Sequence, residues 1–443
     1  MDLLVEKGNN KTYLSQLGFL VTSFEEGAPT IARNSTNIQG RSGSVDFGGW
    51  HESKKVKLEG FYRAEDQYEE ETLKERLFAL LSDPEGIYIT EMRGEIGQGF
   101  ERPGETEGEV YEHMMTRPSH KRFYVYASSI ENELQGNIGG TVLYKMSVEF
   151  TTLKLPYGES VPRDLDIKPN VPYYGRNLYL NSKTIKDSYI KYGDLTVTID
   201  PFNSDTNMWH IVAPQVTGKT VGIYLYGYAD DKLQDNSDWS YSADVKGTGN
   251  IYMFGIDGGS KNPLIGTIGS EWSRISQTGQ IGNPNHKTLV MYFDTNISAL
   301  DVYIKLPKLE IGKISTPWSL APEDPEYNAW YTNTYYKTDN LVIPYAGTVP
   351  CNQLEQGFTI EFTAKEGGSG LKIDINGKEL VYDGQVYDGD VLKLSGYEYT
   401  KNGLSVVRTT NKAYFKLLPN VNNTLSASLH GTIKVLNFQN LYA

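Results

Sequence analysis

The chain has 443 residues, enough for two to four domains that each bury a core, and its punctuation divides it into three. With 44 Gly and 32 Tyr against 8 Met, it is expected to be mainly β, because aromatic and β-branched residues suit a pleated surface and glycine marks turns. A net charge of -13 argues against general binding of nucleic acid, which needs clustered Lys and Arg to displace counterions.

The first residues, MDLLVEK, lack the apolar core of a signal peptide, and no later run approaches the ~20 apolar residues of a membrane span. Synthesis in a cytoplasm and no membrane partner are therefore expected. Residues 1–160 read as a sandwich-like domain with one helix. Residues 56–61, 123–127 and 143–150 alternate as half-buried strands. Between them Leu73, Leu77 and Leu81 form one stripe, with Phe78 and Leu80 beside it. Asp66 with Glu69 marks the helix start, and Ser82-Asp83-Pro84 its end. Gly40-Arg41-Ser42-Gly43 lacks the strand, elbow and helix context of a nucleophilic serine and reads as a turn. Pro162, Pro169 and Pro172 suggest an extended connector over 161–175.

Residues 176–322 hold four of the six tryptophans, Trp209, Trp239, Trp272 and Trp318. Alternating runs at Leu195/Val197/Ile199, Val221/Ile223/Leu225, Leu289/Met291/Phe293 and Leu300/Val302/Ile304/Leu306, separated by turns, predict a jelly-roll-like sandwich. Residues 323–443 are β again. Phe358/Ile360/Phe362 and Leu371/Ile373/Ile375 alternate, Asn376-Gly377 is a strong hairpin signal, and Asp388-Gly389 and Asn402-Gly403 mark two further turns.

Chemistry-bearing constellations are sparse. His51, His113, His120, His210, His286 and His430 are dispersed, without the i, i+4 pair of a helical zinc site, so no metal or cofactor is assigned. Cys351 reads as a small apolar residue. Asp230, Asp231, Asp235, Asp238, Asp244 and Asp257 could supply a glycosidase pair or Ca²⁺ ligands by location alone. No pair among them stands in environments that would plainly separate their pKa values, so no catalytic residue is assigned.

The informative feature is aromatic. In residues 221–228 the aliphatic side chains take one face and Tyr224, Tyr226 and Tyr228 the other, while Tyr292 and Tyr303 stand opposite their own strands' aliphatic sides. Flat phenol rings suit the C–H faces of pyranoses, and their hydroxyls suit sugar hydroxyls, although packing and subunit contact use such rings equally well. With Trp239, these five tyrosines are the candidate carbohydrate-binding residues.

Residues 37–48 (NIQGRSGSVDFG), the helix 73–81 (LKERLFALL) and the closing 150–157 (FTTLKLPY) resemble, in order and spacing, the distal tail proteins of siphophages that infect Gram-positive bacteria. Residues 343–348 (IPYAGT) and 415–422 (FKLLPNVN) are similar to that family's galectin-like second domain. The middle unit, absent from the family's short form, is similar to the carbohydrate-binding modules of its extended form through residues 271–276 (EWSRIS), 305–312 (KLPKLEIG) and 316–324 (TPWSLAPED). In that resemblance Trp272 and Trp318 are scaffold.

The resemblance implies a non-enzymatic virion protein, a homohexameric ring at the distal end of the tail tube. Its implied partners are the tail tube protein, a tail-associated lysin or tip protein, receptor-binding proteins and host cell-wall polysaccharide. Two other readings remain: a cell-wall glycan hydrolase with a targeting domain, and a hub whose insert is purely architectural.

Overall fold

The computed structural model describes residues 1–93, 117–262 and 266–443. His113 lies outside the described residues. Strands dominate, and the chain divides into two compact units, Met1–Lys168 with Thr338–Ala443, and Pro169–Lys337.

The first unit opens with an antiparallel sheet in the order Asn10–Tyr13, Asp2–Lys7, Ile87–Arg93, Phe123–Ile138, Thr141–Thr152, Lys55–Ala64, Phe19–Glu26. Val56, Leu58, Met146, Val148 and Phe150 bury one face, and the helix Gln67–Leu81 lays Leu77 and Leu81 into the same core. The expected start signal operates, since the Asp66 carboxylate accepts the Glu69 N–H at 2.8 Å, satisfying a donor that the first turn leaves open. Beside the sheet, Thr30–Asn37 and Ser44–Ser53 pair, among the described residues, only with each other. Gly40 and Gly43, both at positive φ, make the turn between these strands. The hairpin leaves Ile31, Phe47 and Trp50 exposed at 63%, 65% and 58%.

The carboxy-terminal part of this unit is a sandwich. One sheet runs Leu341–Ile343, Asn423–Ala427, Gly368–Ile375, Lys378–Val386; the other runs Arg163–Ile167, Gly431–Phe438, Thr359–Ala364, Val391–Ser395, Glu398–Lys401, Leu404–Ser405. Asn376 and Gly377 take φ of 56° and 79°, the left-handed pair that a two-residue hairpin requires. Cys351 is fully buried, and burial pushes its thiol up to about 12, so it is an inert core group. Arg163–Ile167 is a strand of this sandwich where the proline spacing predicts connector. Prolines bracket the segment without entering it, and Leu165 and Ile167 alternate with acids as edge-strand residues do. The second unit therefore interrupts the carboxy-terminal sandwich after its first strand.

The second unit is also a sandwich. Its first sheet joins Ile190–Tyr192, Thr220–Leu225, Leu289–Asp294 and the second half of the strand Asp238–Ile256. Its other sheet joins Thr196–Pro201, Asn207–Ala213, Leu300–Ile311, the first half of that long strand and Ser273–Gln280. The long strand passes from one sheet to the other at Gly247 and Gly249, whose φ of 130° and 157° a side chain would disfavour. A Cβ at position 247 would stand 2.1 Å from the Asp301 carbonyl oxygen. Between the sheets lies one core that includes Trp209, Trp239, Tyr241, Phe254, Met291 and Phe293.

Candidate functional site

Strand alternation decides which tyrosines of the second unit can meet a ligand. In Thr220–Leu225, Val221, Ile223 and Leu225 enter the core, so Gly222 and Tyr224 belong to the outer side of the first sheet. Gly222 sits in register between Tyr192 and Tyr292. A Cβ there would lie 2.8 Å from the Tyr292 ring and 2.1 Å from the Met291 carbonyl oxygen, so only glycine lets the flanking rings settle over the strand. The Tyr192 and Tyr292 centroids are 5.1 Å apart at 36°, and Tyr224 meets Tyr292 edge-on at 6.5 Å. Burial, with the Asp257 carboxylate nearby, pushes the Tyr292 phenol up to about 12, so it remains a hydrogen-bond donor at neutral pH.

Tyr226 follows the strand end at Leu225 and is 61% exposed. Its ring lies 4.4 Å from that of His286, whose Nδ1 is 3.0 Å from Asp230 Oδ2. Hydrogen bonds from His286 and the Lys287 N–H hold the Asp230 carboxyl below the usual carboxylate range. The surface thus offers rings for sugar C–H faces with donors and an anionic acceptor at its margin.

Of the six candidates, Tyr224 and Tyr292 meet here, and Tyr226 stands against His286 just past the strand end. Tyr228 departs from the expected alternation. The strand ends at Leu225, Gly227 turns the chain at φ 61°, and the Tyr228 ring stacks on Tyr179 at 5.0 Å against the core. Trp239 is fully buried, sharing inward parity with Tyr241, Ala243 and Val245. A Cβ at Gly255 or Gly279 would fall 2.2 or 2.7 Å from its indole, so the ring fills a fitted slot that no ligand reaches. That inward parity was readable in residues 239–245. Tyr192, by contrast, stands on a strand of three residues, too short to display a period.

Tyr303 lies on the other sheet's outer side, where it stacks on His210 at 4.1 Å and 9°. That side is aromatic too, but its rings are occupied. Lys305 Nζ sits 4.0 Å over Phe202 and 4.5 Å over Trp272, and Lys246 Nζ lies 5.3 Å over Trp272 and 5.7 Å over Tyr303. Lys305 is anchored 3.6 Å from Asp244, which also receives Arg274 at 2.8 Å. The half-buried Trp318 donates its indole N–H to Ser182 Oγ at 3.2 Å.

Each of the six candidate acids of this unit is paired with a basic group. Asp231 meets Lys232 at 2.8 Å, Asp235 meets Lys287 at 2.8 Å, Asp238 meets Lys313 at 3.8 Å and Asp257 meets Lys261 at 3.6 Å. Among the described residues, no group of three or more His, Cys, Asp or Glu is placed to hold a metal ion.

Residues 8–151 match the family model of the phage tail protein RIFT-related domain. No curated protein matches the chain. Among solved structures, the chain is similar to the SPP1 Dit (gp 19.1) protein, described as a paradigm of the hub adsorption apparatus in phages infecting Gram-positive bacteria. That match has 9% identity and TM-score 0.44, covering 100% of this chain and 99% of that one. A xylan-binding CBM22-1 domain from Paenibacillus barcinonensis Xyn10C matches at 12% identity and TM-score 0.25, over 32% of this chain and 97% of that one. The phage P2 baseplate in its Ca-activated conformation matches at 9% identity and TM-score 0.26, over 69% of this chain and 97% of that one.

Proposed function

We propose, for a chain whose residues 8–151 match the family model of the phage tail protein RIFT-related domain, that it is a siphophage distal tail protein: a non-catalytic hub subunit forming a hexameric ring at the tail tip. The family match carries this reading. The hairpin Thr30–Ser53 supports it, because exposed Ile31, Phe47 and Trp50 on an arm paired only with itself suit a surface that a neighbouring subunit covers. A ring needs a heterologous interface whose rotation closes, and such an arm laid on a different patch of the next subunit provides one. The ring would join the tail tube protein to the tail-associated lysin or tip protein and present receptor-binding proteins, within the virion.

The second unit is the adhesion module, and host cell-wall polysaccharide is its ligand. The surface of Tyr192, Tyr224, Tyr226 and Tyr292 supports this, being aromatic, half-exposed and, among the described residues, free of covering ammonium groups, unlike the other sheet's outer side. Single-site sugar binding is weak, and six copies on one ring make later contacts intramolecular, which converts weak binding into firm attachment.

Sedimentation velocity of the full chain at micromolar concentration tests the ring. A species of six subunits is expected, with Phe47→Asp and Trp50→Asp together shifting it toward monomer; monomer alone at every concentration overturns the hub. Retention of the chain on purified host cell walls tests adhesion. Retention unchanged in Tyr292→Ala leaves the second unit an architectural spacer.

A further inference from the structure

The second unit holds another aromatic surface, remote in sequence from the tyrosine strands. The helix Tyr327–Tyr335 has the sequence YNAWYTNTY, in which Tyr, Asn and Thr are weak helix formers, and it buries no residue completely. It carries Tyr327, Trp330, Tyr331 and Tyr335 at helical spacing, and these rings contact one another, with Tyr327 to Trp330 at 6.0 Å and Tyr331 stacked on Tyr335 at 4.3 Å. A segment that breaks local propensity to display half-exposed rings is where function is expected to have set the sequence.

The geometry is that of a walled cleft. Tyr174 meets Trp330 at 5.3 Å and 84°, Tyr174 meets Tyr335 at 5.9 Å and 66°, and Trp330 meets Tyr335 at 79°. At these separations the rings meet edge to face, so Tyr174, Trp330 and Tyr335 pack into one aromatic wall of the cleft. The enclosed volume, about 240 Å³, falls below the ~300 Å³ at which drug-sized pockets begin, so it has room for one ring. The lining also includes Arg176, paired with Glu323, whose side chains are 62% and 46% exposed and can give and accept hydrogen bonds at the mouth. The Trp330 indole N–H has no acceptor among the described residues.

We propose that this cleft is a second carbohydrate contact, taking a single neutral pyranose ring against the aromatic wall that Trp330 forms with Tyr174 and Tyr335, with the Arg176–Glu323 pair and the Trp330 N–H meeting its hydroxyls. An aliphatic side chain would satisfy the walls and leave those polar groups without a role, whereas a pyranose answers both. The proposal shares with the adhesion reading only the view that this unit faces glycan, and its residues are separate from the tyrosine surface.

The test uses the full chain and four probes: the methyl glycosides of glucose, galactose, N-acetylglucosamine and rhamnose. Saturation-transfer NMR is run on the native protein, Trp330→Ala, Trp330→Phe and Tyr292→Ala. At least one glycoside is expected to bind, with dissociation constants on the order of millimolar as one ring allows. Trp330→Ala should weaken it about tenfold, the loss of one stacked ring, with partial retention in Trp330→Phe. A second readout covers failure of Trp330→Ala to fold: in fluorotryptophan-labelled native protein, the ¹⁹F resonance missing from Trp330→Phe should move on glycoside addition. Absence of binding by all four probes, an unmoved Trp330 resonance, or binding lost only in Tyr292→Ala overturns the cleft. That last result would leave the tyrosine-surface reading standing.

Discussion

The two outer sides of the second unit's sandwich are built from similar parts and arranged to opposite effect. Each pairs a tyrosine with a histidine, Tyr226 with His286 and Tyr303 with His210, and each histidine touches an aspartate, Asp230 at 3.0 Å and Asp301 at 2.9 Å. On the first side Gly222 keeps the strand bare so that Tyr192 and Tyr292 present their rings. On the other, Lys305 and Lys246 seat their ammonium groups over Phe202, Trp272 and Tyr303. An aromatic count does not separate the two sides. What separates them is whether each ring's quadrupole is already matched by a cation of the same chain.

The comparison is sharpest where a ring is wholly internal. Trp239→Ala should produce the largest effect of any change considered, a loss of about 3–5 kcal/mol of stability from the cavity and lost contacts in a slot walled by Gly255 and Gly279. Denaturant unfolding at low temperature measures it. Protein that remains folded should keep its affinity for cell walls; a selective loss of affinity without loss of stability would return Trp239 to the binding surface.

Next in size is the exposed side itself. Tyr292→Ala should weaken cell-wall polysaccharide binding about tenfold per module, roughly the worth of one well-placed ring, because Tyr192 and Tyr224 both lean on it. Binding isotherms on isolated wall polysaccharide supply the number. An effect confined to thermal stability would make the tyrosines packing residues only.

On the opposite side, Lys305→Met should leave polysaccharide binding within about twofold while costing roughly 1 kcal/mol of stability, since it deletes the cation shared by Phe202, Trp272 and Asp244 and keeps the apolar stem. If it strengthened binding by uncovering the rings, this side too would be a latent site, and the contrast would be one of degree.

Much of this architecture was legible because it is local. The stripe of Leu73, Leu77 and Leu81, the Asp66 cap and the Asn376-Gly377 turn each depend on residues a few positions apart, and each is found where the pattern puts it. The site was harder to read. Tyr292 and Tyr303 both oppose their aliphatic neighbours, and that period says nothing of which sheet a strand joins, so residues from opposite sides fell into one group. Tyr228 failed for a different reason: alternation predicts a face only while the strand lasts, and this one ends at Leu225, before the turn at Gly227. The strand Arg163–Ile167 was hidden because its partner Gly431–Phe438 lies far along the chain.

The smallest expected effect probes the His–Asp pair beneath Tyr226. The Asp230 carboxyl is held below its ordinary range chiefly by its hydrogen bond with His286, so its contribution to stability is complete above the unfolded carboxylate range, near pH 4. As pH falls through the lower folded value the carboxyl takes up a proton and that contribution disappears. Asp230→Asn should therefore lower the unfolding midpoint slightly at pH 6, by an amount that shrinks as the pH is taken down through the lowered carboxyl range. The pair is solvent-exposed, so salt should shrink the difference at pH 6 as well. A difference that did not shrink at all with falling pH would mean that Asp230 acts through its shape, bridging His286 and the Lys287 N–H, and that charge contributes little to holding Tyr226 in place.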